Sequence, residues 1–176
     1  MLNKQIKFTN DRENSFTISV KKTSIFARII LIITFLIFLI MPILTLTFMI
    51  IERAKLNIGI FFSFALFWGF AYYIFRVISW NNFGKEIFTF ENDRIKYYSD
   101  FKYFKDSFKE IENNDLKIEH EKIGYIEDNL GVLTIMNKTD SLKSVIKVPI
   151  PELTELISQI KTTPNNAHKK LLNREI

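Results

Sequence analysis

Residues 29–51, IILIITFLIFLIMPILTLTFMII, hold 17 Ile, Leu or Phe in 23 positions and no charged side chain. At about 1.5 Å per residue this is roughly 34 Å of helix, enough to cross a hydrocarbon core about 30 Å thick. Each of these residues contributes about −0.3 to −0.6 kcal/mol at mid-helix, so the seventeen together favour insertion by about 5 to 10 kcal/mol. Penalties for Pro42 and three threonines subtract from that sum. A buried helix of a water-soluble protein rarely runs this long without a polar face. The stretch reads as a membrane span.

A second run, 56–80, is LNIGIFFSFALFWGFAYYIFRVISW. It is weaker, because Asn57, Gly59, Ser63, Gly69, Arg76 and Ser79 interrupt it. Arg76 lies four residues from the end, where a long side chain snorkels its guanidinium to the headgroups. Tyr72, Tyr73 and Trp80 fit the aromatic belt at that end. Arg28, Arg76 and Trp80 are therefore read as interfacial anchors. Only Glu52, Arg53, Ala54 and Lys55 separate the two runs, so the helices form an antiparallel hairpin. Ala65 and Gly69 share the small-xxx-small spacing that lets two helices approach closely, and Pro42 predicts a kink.

The net charge of +5 is concentrated around these runs. Residues 1–80 carry nine Lys/Arg against three Asp/Glu, whereas residues 81–176 carry fifteen against sixteen. The basic excess thus belongs to the membrane flanks, which argues against a nucleic-acid face. Lys4, Lys7, Arg12, Lys21, Lys22 and Arg28 precede the first run, Arg76 and Lys85 flank the exit of the second, and Arg53 and Lys55 occupy the turn. The positive-inside rule then places both termini in the cytoplasm of a multi-pass protein of the cell (inner) membrane. The long charged leader and the length of the first run argue against a cleaved signal peptide. With no cysteine, disulfides and thiolate metal sites are excluded.

The division expected from these signals has four parts. Residues 1–24 are a cytoplasmic N-terminal segment, 25–80 a two-helix hairpin (about 28–51 and 56–80), 81–163 a soluble domain and 164–176 a flexible tail. In the first part Ile6 and Phe8, then Phe16, Ile18 and Val20, alternate with polar residues at the strand period, with a polar turn at 10–14. A lone hairpin is only marginally stable, so this one must lie on the membrane surface or on the C-terminal domain.

After Asn81, Asn82 and Gly84 come short alternating segments: Glu86 to Glu91 and Arg94 to Ser99, joined by a tight turn at Asn92 and Asp93. Further strands are expected at Lys102 to Phe108, around Leu116 and Ile118, at Val132 to Met136 and at Lys143 to Val148. Lys122 to Leu130 reads as a loop or one more strand. The connections are too short for crossover helices, so the sheet must be antiparallel. Leu153, Leu156, Ile157 and Ile160 then repeat at helical spacing after Pro151, with Glu152 and Glu155 near the start and Lys161 at the end.

This order resembles small bacterial two-helix membrane proteins with a cytoplasmic pleckstrin-homology-like domain. The likeness covers Phe83 to Lys161: the Gly84-led first strand, the turn at Asn92 and Asp93, the Phe108 to Ile111 turn into the middle strand, the Gly131-led strand and the helix after Pro151. The segment ending in Phe16 to Val20 shares it. The resemblance implies an α+β domain, a bent antiparallel barrel of two sheets capped by the C-terminal helix. The wider fold often binds phosphoinositides through basic residues around its first hairpin. Here that turn offers Asn92, Asp93 and Arg94, with Lys96 nearby.

Motifs of chemistry are sparse. His120 stands between Glu119 and Glu121, which a strand would turn to the opposite face, and His168 lies in the tail. The acids Glu110, Glu112, Asp115, Glu119, Glu121, Glu127 and Asp128 lack the spacing and glycine of a calcium loop. There is no phosphate loop, nucleophile elbow or zinc-protease pair. An aromatic-basic interleave runs through Phe101, Lys102, Tyr103, Phe104, Lys105 and Phe108, and suits a strand beside an anionic bilayer better than a stack of nucleic-acid bases.

The expectation is a non-enzymatic integral membrane protein that presents an interaction or scaffold module. It needs no cofactor or metal, and its partner is another membrane protein or anionic lipid headgroups, with Arg94, Lys102 and Lys105 as contacts. A homo-oligomer is compatible with this reading. The alternatives are a membrane-embedded enzyme using the acidic cluster and a small transport or channel subunit.

Overall fold

The computed structural model describes residues 5–9, 14–55, 57–91 and 93–162. The polar turn expected at 10–14, Asn92 of the tight turn, and the 164–176 tail with its His168 lie wholly or partly outside them. The chain divides into two units: Lys21–Phe83, and residues 1–20 together with 84–176.

The first unit is a pair of helices, α1 (Ile25–Ile51) and α2 (Ile58–Phe83). Ser24 caps α1, its hydroxyl accepting from the Ala27 amide at 3.3 Å. The C-terminus of α1 closes with Arg53 in the left-handed region (φ 52), the Ala54 amide reaching Met49 O at 2.9 Å and the Arg53 amide reaching Ile50 O at 3.2 Å. These are the paired bonds of a Schellman turn, here built without glycine. Thr34, Thr45 and Thr47 each donate their hydroxyl to the carbonyl four residues back, at 2.9, 3.0 and 2.9 Å. Their polar atoms are satisfied inside the helix, which keeps the outer surface apolar.

Aromatic rings meet across the two helices: Phe35 with Phe75, and Phe38 with Phe67 and Phe70. This order makes the helices antiparallel. Ala65 and Gly69 were expected in that seam, but both are exposed, and a side chain added at Gly69 would meet nothing within 4 Å. The reason is angular. Phe67 points at α1, and residue 69, two positions on and about 200° around the helix, points away. The helix α2 also runs to Phe83 rather than Trp80, and the Asn82 side chain donates its Nδ2 to Ile78 O at 2.8 Å on this last turn.

The second unit opens with strands from both sides of the helical pair. β1 (Ile6–Thr9) and β2 (Asn14–Ser19) join β3 (Lys85–Phe90), β4 (Arg94–Asp100) and β5 (Lys105–Glu112) in one antiparallel sheet of order β1-β2-β3-β4-β5. The N-terminal segment is therefore part of the sheet. A second antiparallel sheet holds β6 (Lys117–Lys122), β7 (Leu130–Met136), β8 (Ser141–Lys143) and β9 (Val148–Pro149), with β7 paired to all three others. Lys122 to Leu130 is neither plain loop nor strand, since Ile126–Asp128 forms a 3-10 turn.

Two expected strands are relocated. Residues 101–104 turn back, with the Phe101 amide on Phe104 O at 3.0 Å, so the strand expected at Lys102 begins at Lys105. The strand expected over Lys143 to Val148 is split into β8 and β9, because the amides of Val145 and Ile146 bond to a side chain instead of a strand.

The core lies on the inner faces of the sheets and under α3 (Ile150–Thr162), which packs on β6, β7 and β9. Phe16 stacks on Phe88 at 4.8 Å, Ile18 and Ile95 are fully buried, and Leu153 and Leu156 of α3 are buried along with Leu133 and Ile135 of β7 and Val148 of β9. Gly131 allows this approach. A Cβ there would stand 3.0 Å from Glu121 O and 3.2 Å from Leu153 Cδ1. Gly131→Ala is therefore expected to cost about 1–3 kcal/mol through overpacking, read as a lower urea midpoint for the sheet unit of the full chain.

Candidate functional site

The three basic residues expected to make contacts do not converge. Arg94 opens β4, its guanidinium 2.9 Å from Glu110 and 3.3 Å from Asp93. The hydrogen bonds to Glu110 and Asp93 raise its pKa, and the same arginine holds the Asp93 carboxyl below the usual range. Lys102 and Lys105 lie at the other end of β4, which at about 3.3 Å per residue is roughly 20 Å away. Arg94 is thus engaged with acids at one end of the sheet, and the two lysines belong to a different surface.

That second surface is built by the turn between β4 and β5. Asp100 accepts the Lys102 amide at 2.7 Å and holds Lys102 in the left-handed region (φ 76). Opposite Tyr98 the ladder skips, Tyr97 pairing with Lys109 and Ser99 with Asp106, so that two residues of β5 face one of β4. Ser107, at φ 58, is one of them. Such a bulge re-aims the side chain beside it. Here it lays Phe108 on Tyr98, rings 5.6 Å apart and nearly parallel. Lys105 Nζ sits 4.7 Å above the Tyr98 ring and Lys102 Nζ 5.5 Å above Tyr103. Phe108 and Tyr103 are 67% and 61% exposed, large for aromatic side chains. A shallow cleft of about 280 Å³ continues along the outer face between Phe108, Tyr98, Lys96, Glu91 and Thr89.

The most constrained polar group is one that sequence reading did not single out. Glu86 is fully buried on the inner face of β3. Its carboxylate accepts from the Tyr97 hydroxyl at 2.6 Å and from the amides of Val145 and Ile146 at 2.7 and 3.2 Å. Ser99 Oγ lies 3.3 Å from the Tyr97 hydroxyl. Burial pushes the Glu86 carboxyl above its ordinary value, while its hydrogen bonds to Tyr97, Val145 and Ile146 pull the other way. Burial, the Glu86 charge and their shared hydrogen bond raise the Tyr97 phenol in turn. A signal was present, since Glu86 has the same strand parity as Phe88 and Phe90. It ties β3 and β4 to the segment between β8 and β9, with three donors of the chain on its two oxygens.

The acidic cluster is dispersed. Asp115 pairs with Lys138 at 2.6 Å, Glu119 with Lys117 at 2.8 Å and Glu121 with Lys143 at 2.6 Å, all on the surface. Among the described residues no group of three or more His, Cys, Asp and Glu side chains could hold a metal ion. His120 is exposed on β6. Of the expected anchors, Arg28 folds back to donate to Thr23 O at 2.7 and 3.0 Å, while Arg76 and Trp80 are half-buried on the last turns of α2. No protein-family profile, curated protein or solved structure matches this chain.

Proposed function

We propose that this chain is a multi-pass membrane protein whose two helices hold a pleckstrin-homology-like module at the cytoplasmic face, and that the module works by binding rather than by catalysis. The observation that carries the membrane part is the surface of the helical pair. Both helices are long and apolar enough to cross a membrane, and along the 27 residues of α1 only Pro42 is buried. Ile, Leu and Phe side chains exposed in such continuity are stable in lipid and not in water.

The binding part rests on what the sheet unit displays. Among the described residues Asp115, Glu119 and Glu121 pair with surface lysines and Glu110 with Arg94, and the buried Glu86 carboxylate accepts from Tyr97, Val145 and Ile146. What remains outward is an aromatic and basic surface, which suits attachment to a headgroup layer or to another membrane protein.

The test is fractionation of truncated chains. A protein ending at Phe83 is expected to remain in the membrane pellet after alkaline extraction, and one lacking residues 25–83 to leave it. Recovery of the first in the soluble fraction would sink the anchor assignment. A cysteine placed at Lys55 in the full chain is expected to react with an impermeant maleimide from outside intact cells, and one at Asp93 only after lysis; the reverse pattern would invert the orientation.

A further inference from the structure

Register fixes which end of the five-stranded sheet is joined to the helices. Ser19 pairs with Lys85, Lys85 with Asp100 and Asp100 with Lys105, so these four residues form the terminal row of β2, β3, β4 and β5. Only Gly84 lies between Lys85 and the last residue of α2, and only residues 20–24 lie between Ser19 and the first residue of α1. Since a residue spans at most about 3.5 Å, the chain limits the Cα of Lys85 to about 7 Å from that of Phe83. The β4–β5 turn, residues 101–104, projects from this same row.

The two ends of the sheet also differ in charge. At the helix-joined end Lys85, Lys102 and Lys105 stand against Asp100 and Asp106, with Glu86 buried inside the next row, whereas the far end carries Glu91, Asp93, Glu110 and Glu112 against Arg94 and Lys96. Both carboxylates at the joined end accept backbone amides, from Lys102 at 2.7 Å and Ser107 at 2.6 Å. The exposed aromatics Tyr103 and Phe108 are at or next to the joined end. An amphipathic aromatic ring beside a lysine is the side-chain pair that partitions into a headgroup layer, and each added lysine near an anionic surface strengthens binding severalfold.

We infer that the β4–β5 turn is a third membrane contact, seating Tyr103, Phe108, Lys102 and Lys105 on the surface of an anionic bilayer. This rests on the membrane reading above and adds a lipid class and a surface to it. The contact lies at the end of the sheet opposite Arg94 and the first hairpin turn. It fixes the module against the membrane at a second point beyond the covalent link, and it makes that attachment sensitive to acidic lipid content.

The cysteine-free sequence makes the test direct. Full-length Tyr103→Cys, Phe108→Cys and, as a far-end control, Asp93→Cys are labelled with an environment-sensitive fluorophore and reconstituted into vesicles. The vesicles hold either phosphatidylcholine alone or phosphatidylcholine with 30% phosphatidylglycerol by design, each with and without a headgroup-borne quencher. The expected result is strong quenching at 103 and 108 in the anionic vesicles, weak quenching in neutral ones and none at 93. Adding Lys102→Glu with Lys105→Glu is expected to reduce the quenching at least about tenfold in lipid titration. Three outcomes overturn the inference: equal quenching at 93 and 103, equal quenching in neutral and anionic vesicles, or a label at 103 that is shielded but not quenched by lipid, which would mean a protein contact. Failure of the chain to resist alkaline extraction from the vesicles would instead sink the membrane reading itself.

Discussion

Removing residues 1–20 is expected to abolish cooperative folding of the sheet unit, although the deleted segment is separated from the rest of that unit by the entire helical pair. β2 is an inner strand, paired along its whole length with β3. Phe16 and Ile18 are buried in the core, and Phe16 lies flat on Phe88 at 4.8 Å. Truncating a buried Phe to Ala costs about 3–5 kcal/mol, against a total stability of about 5–15 kcal/mol for a small domain. Losing Phe16, Ile18 and a full ladder at once exceeds that margin. Hydrogen exchange of the full-length and truncated proteins in the same detergent is the measurement, with Phe16→Ala as the milder variant. Retained protection of β3 and β4 after the deletion would show that the sheet closes without its N-terminal strands.

The second large effect is expected at Glu86. Glu86→Leu leaves the Val145 and Ile146 amides without the acceptor that now holds them and removes the buried partner of Tyr97. Each unsatisfied buried donor costs about 1–3 kcal/mol, so a loss of about 3 kcal/mol or more is expected. Glu86→Gln keeps one acceptor oxygen and is expected to cost less.

The pH dependence has a definite sign. Because burial raises the folded carboxyl above its unfolded value of 4.5, the folded state holds this proton more tightly. Its contribution is therefore most favourable below the unfolded value and is lost as pH rises from there through the folded pKa. Asp93 and Asp115, both lowered by hydrogen bonds to basic partners, act in the opposite direction and lose stability as pH falls. The informative quantity is thus the difference between the wild type and Glu86→Gln in urea midpoint, measured across the acid range. That difference is expected to shift against the wild type as pH rises, so that its lead over Glu86→Gln shrinks. A difference independent of pH would mean that the Glu86 carboxyl binds its proton equally well folded and unfolded, so that burial does not raise it.

Much of this protein is legible in one dimension because the signals are local. A charge-free run of 23 residues meets a length criterion without reference to any neighbour. The alternation at Phe88 and Phe90 and at Ile95 and Tyr97 places a hairpin, and the helical spacing of Leu153 and Leu156 places α3 with its buried stripe. The candidate surface was partly legible too, since the interleaved Phe and Lys residues from 101 to 108 were apparent. What register adds is that Arg94 and these lysines stand at opposite ends of β4, because a strand of seven residues puts its ends far apart.

Sequence by itself determined the two apolar spans, the antiparallel hairpins, the closing helix and the absence of any cysteine chemistry. Only the tertiary structure decided that the N-terminal strands enter the sheet, that Glu86 is a core residue tying it to residues 145–146, and that Ala65 and Gly69 face away from α1. The physical reason is common to all three. Alternation or spacing fixes which side chains share a face, but what that face meets depends on contacts between residues distant in the chain. A buried acid such as Glu86 is tolerated only where the donors of Tyr97, Val145 and Ile146 converge, and that convergence exists only once the strands have assembled.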